Sequence, residues 1–257
     1  MIPKIIHYCW FGKGKYPSLL STCIETWHKT LHDFEFVCWN EDTFDIDSIP
    51  FVKKAYEDKK WAFVSDYARL KALYDFGGVY LDTDIEIIKD FSSLLSSDLF
   101  FTSYTEGGLI STSFICCPPK HPFIKLVLDY YENSFWKENG TYIMNTLIFS
   151  KIANLFFSVP LSNKFFSNGF IQIFPAHYFS PFKKNILLND KKKYRHNNYV
   201  INDKTYVIHH DFGSWSTKRK LSRIISGLVR IILPLSLYNK IKILKNRKRI
   251  NYISYHV

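Results

Sequence analysis

Gly77-Gly78-Val79-Tyr80-Leu81-Asp82-Thr83-Asp84 is the stretch on which the reading of this chain turns. Two adjacent glycines stop whatever precedes them, and a β-prone run leaves at once toward two acids one residue apart. In an extended strand alternate side chains share a face, so Tyr80, Asp82 and Asp84 are expected to point together. Carboxylates repeated at ~6.8 Å on one face repel each other and need compensation. A divalent cation with oxygen ligands supplies it, and such an ion can in turn hold a diphosphate. The rival reading is a solvated loop with incidental acids, a fair account of a lone Asp-x-Asp. Here the pair ends an apolar strand launched by a glycine turn, and strand ends are where α/β proteins carry ligand sites.

Working outward, Phe63, Tyr67, Leu70 and Tyr74 recur at helical steps, which predicts a helix over Ala62 to Phe76 capped by Gly77 in a left-handed conformation. Asp66 and Arg69, three apart, are expected on one side of it, flanking the apolar stripe. Upstream, Lys4 to Trp10 reads as a buried strand, Ser18 to Leu31 as a helix and Glu35 to Trp39 as a second strand. Downstream, strands are expected at Val79 to Asp82, Leu99 to Thr102, Phe114 to Cys117, Ile171 to Phe174 and Thr205 to His209. Helices are expected at Pro122 to Phe135 and Tyr142 to Phe157. This alternation predicts an α/β fold around a largely parallel sheet.

Three pieces of the chain, in order, resemble the DXD-motif glycosyltransferases with a GT-A fold: Ile2-Pro3-Lys4-Ile5-Ile6-His7 through Trp10-Phe11-Gly12; Ser65-Asp66-x-x-Arg69 with Gly77-Gly78-x-Tyr80-x-Asp82-x-Asp84; and His209-His210-Asp211-Phe212-Gly213-Ser214-Trp215. The group includes bacterial capsule and lipopolysaccharide sugar transferases, the yeast outer-chain mannosyltransferase and the catalytic domain of the glucosylating clostridial toxins. The resemblance implies a GT-A domain over residues 1–216. It also implies retaining transfer of a hexose from a nucleotide diphosphate, UDP-hexose being favoured over GDP-mannose, to a glycan in bacterial surface polysaccharide synthesis.

By the same resemblance Asp82 and Asp84 hold Mn²⁺ or Mg²⁺ with a C-terminal histidine. An adjacent His pair on a strand splits between faces, so one of His209 and His210 lines the site; spacing leaves the choice open, with a slight preference for His209. Asp66 is implied to bind sugar hydroxyls and Arg69 the donor, and Trp10 to stack on the base. Ser65 and Tyr80 are implied near the nucleotide, and Ser214 and Trp215 at the diphosphate. Each has a bland alternative: an ion pair for Asp66 and Arg69, core packing for Trp10, Tyr80, His7 or either histidine. Asn145 stands where some relatives carry an acceptor-side motif that this chain lacks.

The chain has 257 residues, enough for one sizeable domain, and a net charge of +11. From Thr217 to Val257 there are eleven Lys and Arg and no acid, so the remaining 23 basic residues balance the 23 acidic ones. The basic character belongs to the tail, which weakens a nucleic-acid reading of the main domain. Residues 217–257 read as a basic amphipathic segment, helical and suited to an anionic membrane surface, with a packed C-terminal helix as the plain alternative. Five cysteines without metal-site spacing, and no recognisable signal or spanning segment, point to a cytoplasmic protein, peripheral on the membrane. The rivals to the transferase are a nucleotide-sugar hydrolase and a non-catalytic membrane-surface binding module.

Overall fold

The computed structural model describes residues 1–133, 142–181, 199–211, 235–251 and 253. Its centre is a seven-stranded sheet of β1 (Ile5–Cys9), β2 (Glu35–Trp39), β3 (Gly78–Leu81), β5 (Phe100–Ser103), β6 (Phe114–Cys117), β7 (Phe166–Ser167) and β8 (Ile171–Phe174), ordered β2-β1-β3-β6-β5-β8-β7. β6 and β7 run antiparallel to their neighbours and the other five strands share one direction. The mostly parallel α/β architecture implied by the GT-A resemblance is therefore present. A second sheet pairs β4 (Ile85–Ile87) with β9 (Val207–His209).

Strand residues alternate between two cores. Val79, Leu81, Phe101, Phe114 and Cys116 face one cluster, which includes Trp27 of α1 (Ser18–Thr30). Tyr80, Phe100, Ile115 and Cys117 face the other, formed with α2 (Pro50–Glu57), α3 (Trp61–Phe76), α4 (Pro122–Asn133) and α5 (Asn145–Phe157). Burial on both faces is what a mostly parallel sheet requires. It also explains the adjacent Cys116 and Cys117, both buried and free, whose thiols burial pushes well above their ordinary pKa.

The differences from expectation are local. α2 and β4 are elements that periodicity did not mark; eight and three residues are too few to show a repeat, although Pro50 at the first turn of α2 is a usable start signal. α3 buries Val64, Asp66, Tyr67, Ala68, Arg69, Leu70, Ala72 and Leu73, so its apolar stripe has become almost the whole circumference. Asp66 and Arg69 accordingly sit inside the protein rather than along the edge of a stripe. The cause is position, since α3 packs against β1 and β3 on one side and α2 and α4 on the other.

The glycine turn is tighter than a left-handed cap. Gly77 accepts no side chain: its φ of 67° and ψ of −160° lie in a region essentially confined to glycine. An added Cβ would stand 2.6 Å from Pro119 Cδ, and one on Gly78 (φ 98°) 2.6 Å from the Ile5 carbonyl oxygen. His7 secures the same turn. Trp39 Nε1 donates to His7 Nδ1 at 3.1 Å, so the hydrogen sits on Nε2, which donates to the Gly77 carbonyl at 2.8 Å. Burial holds this imidazole below its ordinary pKa and hence neutral.

The described part of the basic tail is one helix, α6 (Leu235–Asn251), packed on α5. Asn246 Nδ2 donates to the Gly107 carbonyl at 2.8 Å, Lys242 pairs with Glu106 at 3.4 Å, and Ile250 and Ile253 join the larger core. Among the described residues no helix is long and apolar enough to cross a membrane.

Gly77→Ala is expected to lose at least about 3 kcal/mol of unfolding free energy, the upper range for a side chain forced into this backbone region. Gly14→Ala, whose Cβ meets nothing within 4 Å, serves as the near-neutral control. Urea denaturation of both variants checks the difference.

Candidate active site

β1 and β3 run parallel with Ile6 beside Val79 and His7 beside Tyr80, so Trp10 and Asp82 leave the sheet at one edge. Asp82 lies just beyond β3, although its amide still donates to the Ser113 carbonyl at 2.8 Å. The chain then turns, with Ile85 N donating to Asp82 O at 3.0 Å, before entering β4. The two acids therefore flank a turn and do not share one strand face as the alternation predicted. Asp and Thr favour such turns through their short polar side chains, and β4 then pairs with β9 instead of prolonging β3.

The turn still brings the carboxylates together, and β9 adds a third donor. Nε2 of His209 is 3.2 Å from Asp84 Oδ1 and 3.9 Å from Asp82 Oδ2. One ligand atom each from Asp82, Asp84 and His209 falls within 4.8 Å of the others. Asp82 is the more open of the acids, its side chain 28% exposed against 12% for Asp84. Asp211 Oδ1 lies 3.2 Å from His209 Nδ1 and fixes the ring from behind. Two carboxylates and one imidazole are a donor set suited to Mn²⁺ or Mg²⁺. When bound, such an ion stabilises the negative charge of a departing diphosphate. Burial lowers the pKa of the His209 imidazole, but Asp84, Asp211 and Asp82 outweigh it and raise the value to about 10. A proton on the imidazole thus supplies, in the metal-free protein, the positive charge these acids require.

Arg69 crosses beneath this group. Its Nε donates to Ser65 O at 3.1 Å, and Nη1 to Thr112 O at 2.8 Å and Asp82 Oδ1 at 3.2 Å; Nη2 pairs with Asp66 at 3.0 Å. The guanidinium stacks over the Tyr80 ring at 4.4 Å, and the Tyr80 hydroxyl donates to Asp82 Oδ1 at 2.9 Å. Tyr80 is 2% exposed, so it holds Asp82 from below, where the resemblance implied a nucleotide contact. Ser65 turns its hydroxyl back to Trp61 O, within its own helix, although it too was expected near the nucleotide. Asp66 also receives Asn145 Nδ2 at 3.0 Å. Burial, only partly offset by Arg69 and Asn145 and reinforced by Asp82, lifts its pKa to about 6.

Trp10 is partly exposed, stacked on Tyr16 at 4.7 Å and donating to Gly14 O at 2.6 Å, so it is no core residue. His210 is turned away from the acid pair: its Nε2 lies 2.9 Å from Glu86 Oε2 and its Nδ1 3.0 Å from the Tyr199 hydroxyl. Of the two adjacent histidines, only His209 reaches Asp82 and Asp84. Ser214 and Trp215 lie outside the described residues. Sequence reasoning gave no role to Asp211, whose alternate spacing from His209 was the available signal, or to the Thr112 carbonyl, which no side-chain pattern marks.

Residues 17–101 match the model of a family described as a glycosyltransferase sugar-binding region containing the DXD motif, a segment holding α3 and the acid pair. The chain is 27% identical to an uncharacterized glycosyltransferase of Acanthamoeba polyphaga mimivirus, covering 87% of this chain and 88% of that protein. It is 28% identical to inositol phosphoceramide mannosyltransferase 1 of Schizosaccharomyces pombe over 48% of this chain and 40% of that protein, less than half the relative's length. Among solved structures, the PaToxG glycosyltransferase aligns at 17% identity with a TM-score of 0.49, covering 60% of this chain and 69% of that one.

The His209 environment sets a pH dependence. Because its folded pKa is raised, the stabilisation it gives the metal-free protein is complete below its ordinary 6.5 and is lost as pH rises through about 10. A ligand imidazole must be neutral, so ion and proton compete. Mn²⁺ binding near pH 7.5 is expected to release about one proton per ion, read by calorimetry in buffers of different ionisation heat. Apparent affinity is expected to climb with pH over the same window, and a pH-independent affinity would remove His209 from the ligand set.

Proposed function

We propose that this protein, a DXD-motif glycosyltransferase, transfers a hexose from a nucleoside diphosphate to a glycan acceptor in a divalent-metal-dependent reaction. The observation that carries this reading is the meeting of Asp82, Asp84 and His209 at the sheet edge from which Trp10 also emerges. In this reading the acids and His209 hold the ion and Trp10 offers its partly exposed ring to the base. Arg69 keeps Asp82 and Asp66 in place with a charge it never loses. Asp66 and Asn145 face the sugar. Asn145 Oδ1 is buried without a hydrogen-bond partner, and a sugar hydroxyl is a donor of the right kind for it. Ser214 and Trp215 keep the diphosphate role that the motif resemblance implies.

UDP-hexose remains the favoured donor, retention the favoured outcome and bacterial surface polysaccharide the favoured setting on the motif resemblance. The viral and fungal relatives add nothing to that setting. The fungal relative's name, a mannosyltransferase acting on inositol phosphoceramide, makes GDP-mannose the donor to test against UDP-hexose. It also supports a lipid-linked acceptor.

α6 favours the same kind of acceptor. At 100° per residue its inward arc holds Lys242, Ile243, Asn246, Arg249 and Ile250, the side that meets Glu106, Gly107, Gly108 and Met144. The outward arc carries Lys240, Lys245, Arg247 and Lys248 around Ile241 and Leu244, which are 47% and 59% exposed. Exposed aliphatic residues set among cations suit an anionic lipid surface, each cation contributing about 1 kcal/mol near it. On the inward side Arg249 reaches Met144, and Asn145, next to Met144, reaches Asp66, so the helix that carries this arc packs beside the residues proposed to face the sugar.

Calorimetric titration with UDP and GDP, each with and without Mn²⁺, tests the donor site. Metal-dependent binding of one nucleotide, reduced at least about 10-fold in Asp84→Ala, is the expected outcome. No binding of either nucleotide removes the transferase reading. Separately, the protein is expected to co-sediment with phosphatidylserine-containing vesicles but not with neutral ones, and Lys240→Glu/Lys245→Glu/Lys248→Glu to abolish it. Equal behaviour toward both vesicles would make the arc a solvated face.

A further inference from the structure

β9 is three residues long, pairs only with β4 among the described strands, and carries the histidine that, among the described residues, reaches the acid pair. Three ladder positions, Ile85 with His209, Glu86 with Ile208 and Ile87 with Val207, are a slight attachment for a group that must be placed to a few tenths of an ångström. β4 itself is well held. Trp27 Nε1 donates to Ile85 O at 2.7 Å, and Ile87 N donates to Thr26 Oγ1 at 3.0 Å, so α1 fastens the edge of β4 that β9 leaves free.

The N-terminal end of β9 is tied down by Ile88 N and Lys89 N, which donate to the Tyr206 carbonyl at 2.9 and 3.1 Å; the C-terminal end, which carries His209, is fastened by His210. Its amide donates to the Asp84 carbonyl at 3.1 Å. Its ring is 2% exposed and bridges two elements: a carboxylate can only accept, so Nε2 donates to Glu86 Oε2 at 2.9 Å, while the Tyr199 hydroxyl lies 3.0 Å from Nδ1. Two members of this bridge adjoin a proposed metal ligand, Glu86 two residues beyond Asp84 and His210 next to His209.

We propose that Glu86, His210 and Tyr199 form a positioning lock that sets metal affinity by fixing His209 over Asp82 and Asp84, none of the three touching the ion or the substrate. This rests on the metal-site reading above. The lock works through geometry: with the side-chain bridge cut, β9 keeps its ladder and the His210 amide bond, but its last pair, Ile85 with His209, loses the buried brace behind it, and restoring the exact placement of the His209 ring is charged against binding of the ion.

The test uses the full-length protein and Mn²⁺ alone, titrated by the electron paramagnetic resonance signal of the free aqua ion, without turnover. Glu86→Ala and His210→Gln are expected to keep the wild-type circular dichroism spectrum and weaken Mn²⁺ binding about 10-fold or more, in the range seen when partners of metal ligands are removed. Glu86→Gln retains an acceptor oxygen at the same reach and is expected to stay close to wild type. Folded Glu86→Ala and His210→Gln proteins with wild-type affinity overturn the lock. So does a Glu86→Gln protein as weak as Glu86→Ala, because the charge of Glu86 and not its hydrogen bond would then govern affinity. Should the larger changes prevent folding, Tyr199→Phe removes a single hydroxyl, and unchanged affinity in that variant overturns the proposal. A wild-type protein that binds no Mn²⁺ defeats the metal-site reading itself, an outcome distinct from equal binding by wild type and variants.

Discussion

A guanidinium taken out of water must have nearly all its donors met and its charge balanced, and Arg69 imposes that demand on three parts of the chain at once. Its partners are the Ser65 carbonyl and Asp66 on its own helix, Asp82 at the end of β3 and the Thr112 carbonyl ahead of β6. Tyr80 covers one face of the plane. The helix, the central strand and its antiparallel neighbour are therefore referenced to one planar group before any ligand arrives. A lysine could satisfy the charge but not the fork.

This arrangement explains why the acids are placed without being neutralised. Asp82 gives one oxygen to Arg69 and Tyr80 and keeps the other toward His209, while Asp84 has His209 as a near neighbour. The protein meets part of the electrostatic demand of the pair and leaves part over. Against burial, which lowers it, Asp84, with Asp211 and Asp82, draws the His209 imidazole up to about 10, and its proton meets part of that remainder. Asp66, by contrast, is lifted toward 6 because burial weighs more there than its neighbours do.

Much of this was legible in the residues, and the illegible parts have common causes. The glycine pair, the helix before it and the strand after it announced themselves by spacing, and β2, β6 and β8 fall on their expected bounds. Alternation failed at Asp82 and Asp84 because a turn that pairs with a distant strand cannot be seen from its own sequence. The burial of Asp66 and Arg69 was hidden for a related reason: a helix packed on several sides loses the stripe by which periodicity reports its inner face. Trp10, Tyr80 and Ser65 differ in surroundings although one resemblance grouped them: Trp10 and Ser65 are partly exposed, while Tyr80 is buried under Asp82. The choice between His209 and His210 needed the register of β4 with β9. The tail's charge was plain, but which arc of α6 meets the protein depends on Gly107 and Gly108, whose missing side chains admit Asn246 and Ile243.

The order in which the ribosome delivers these parts follows from where β9 lies. All seven strands of the central sheet have been synthesised by Phe174, and both acids far earlier, whereas His209 comes only after them. A nascent chain can thus assemble its scaffold while the proposed cation site is still one donor short. Two aspartates alone are a poorer donor set than the three groups together, and His209 arrives at a framework already made to receive it.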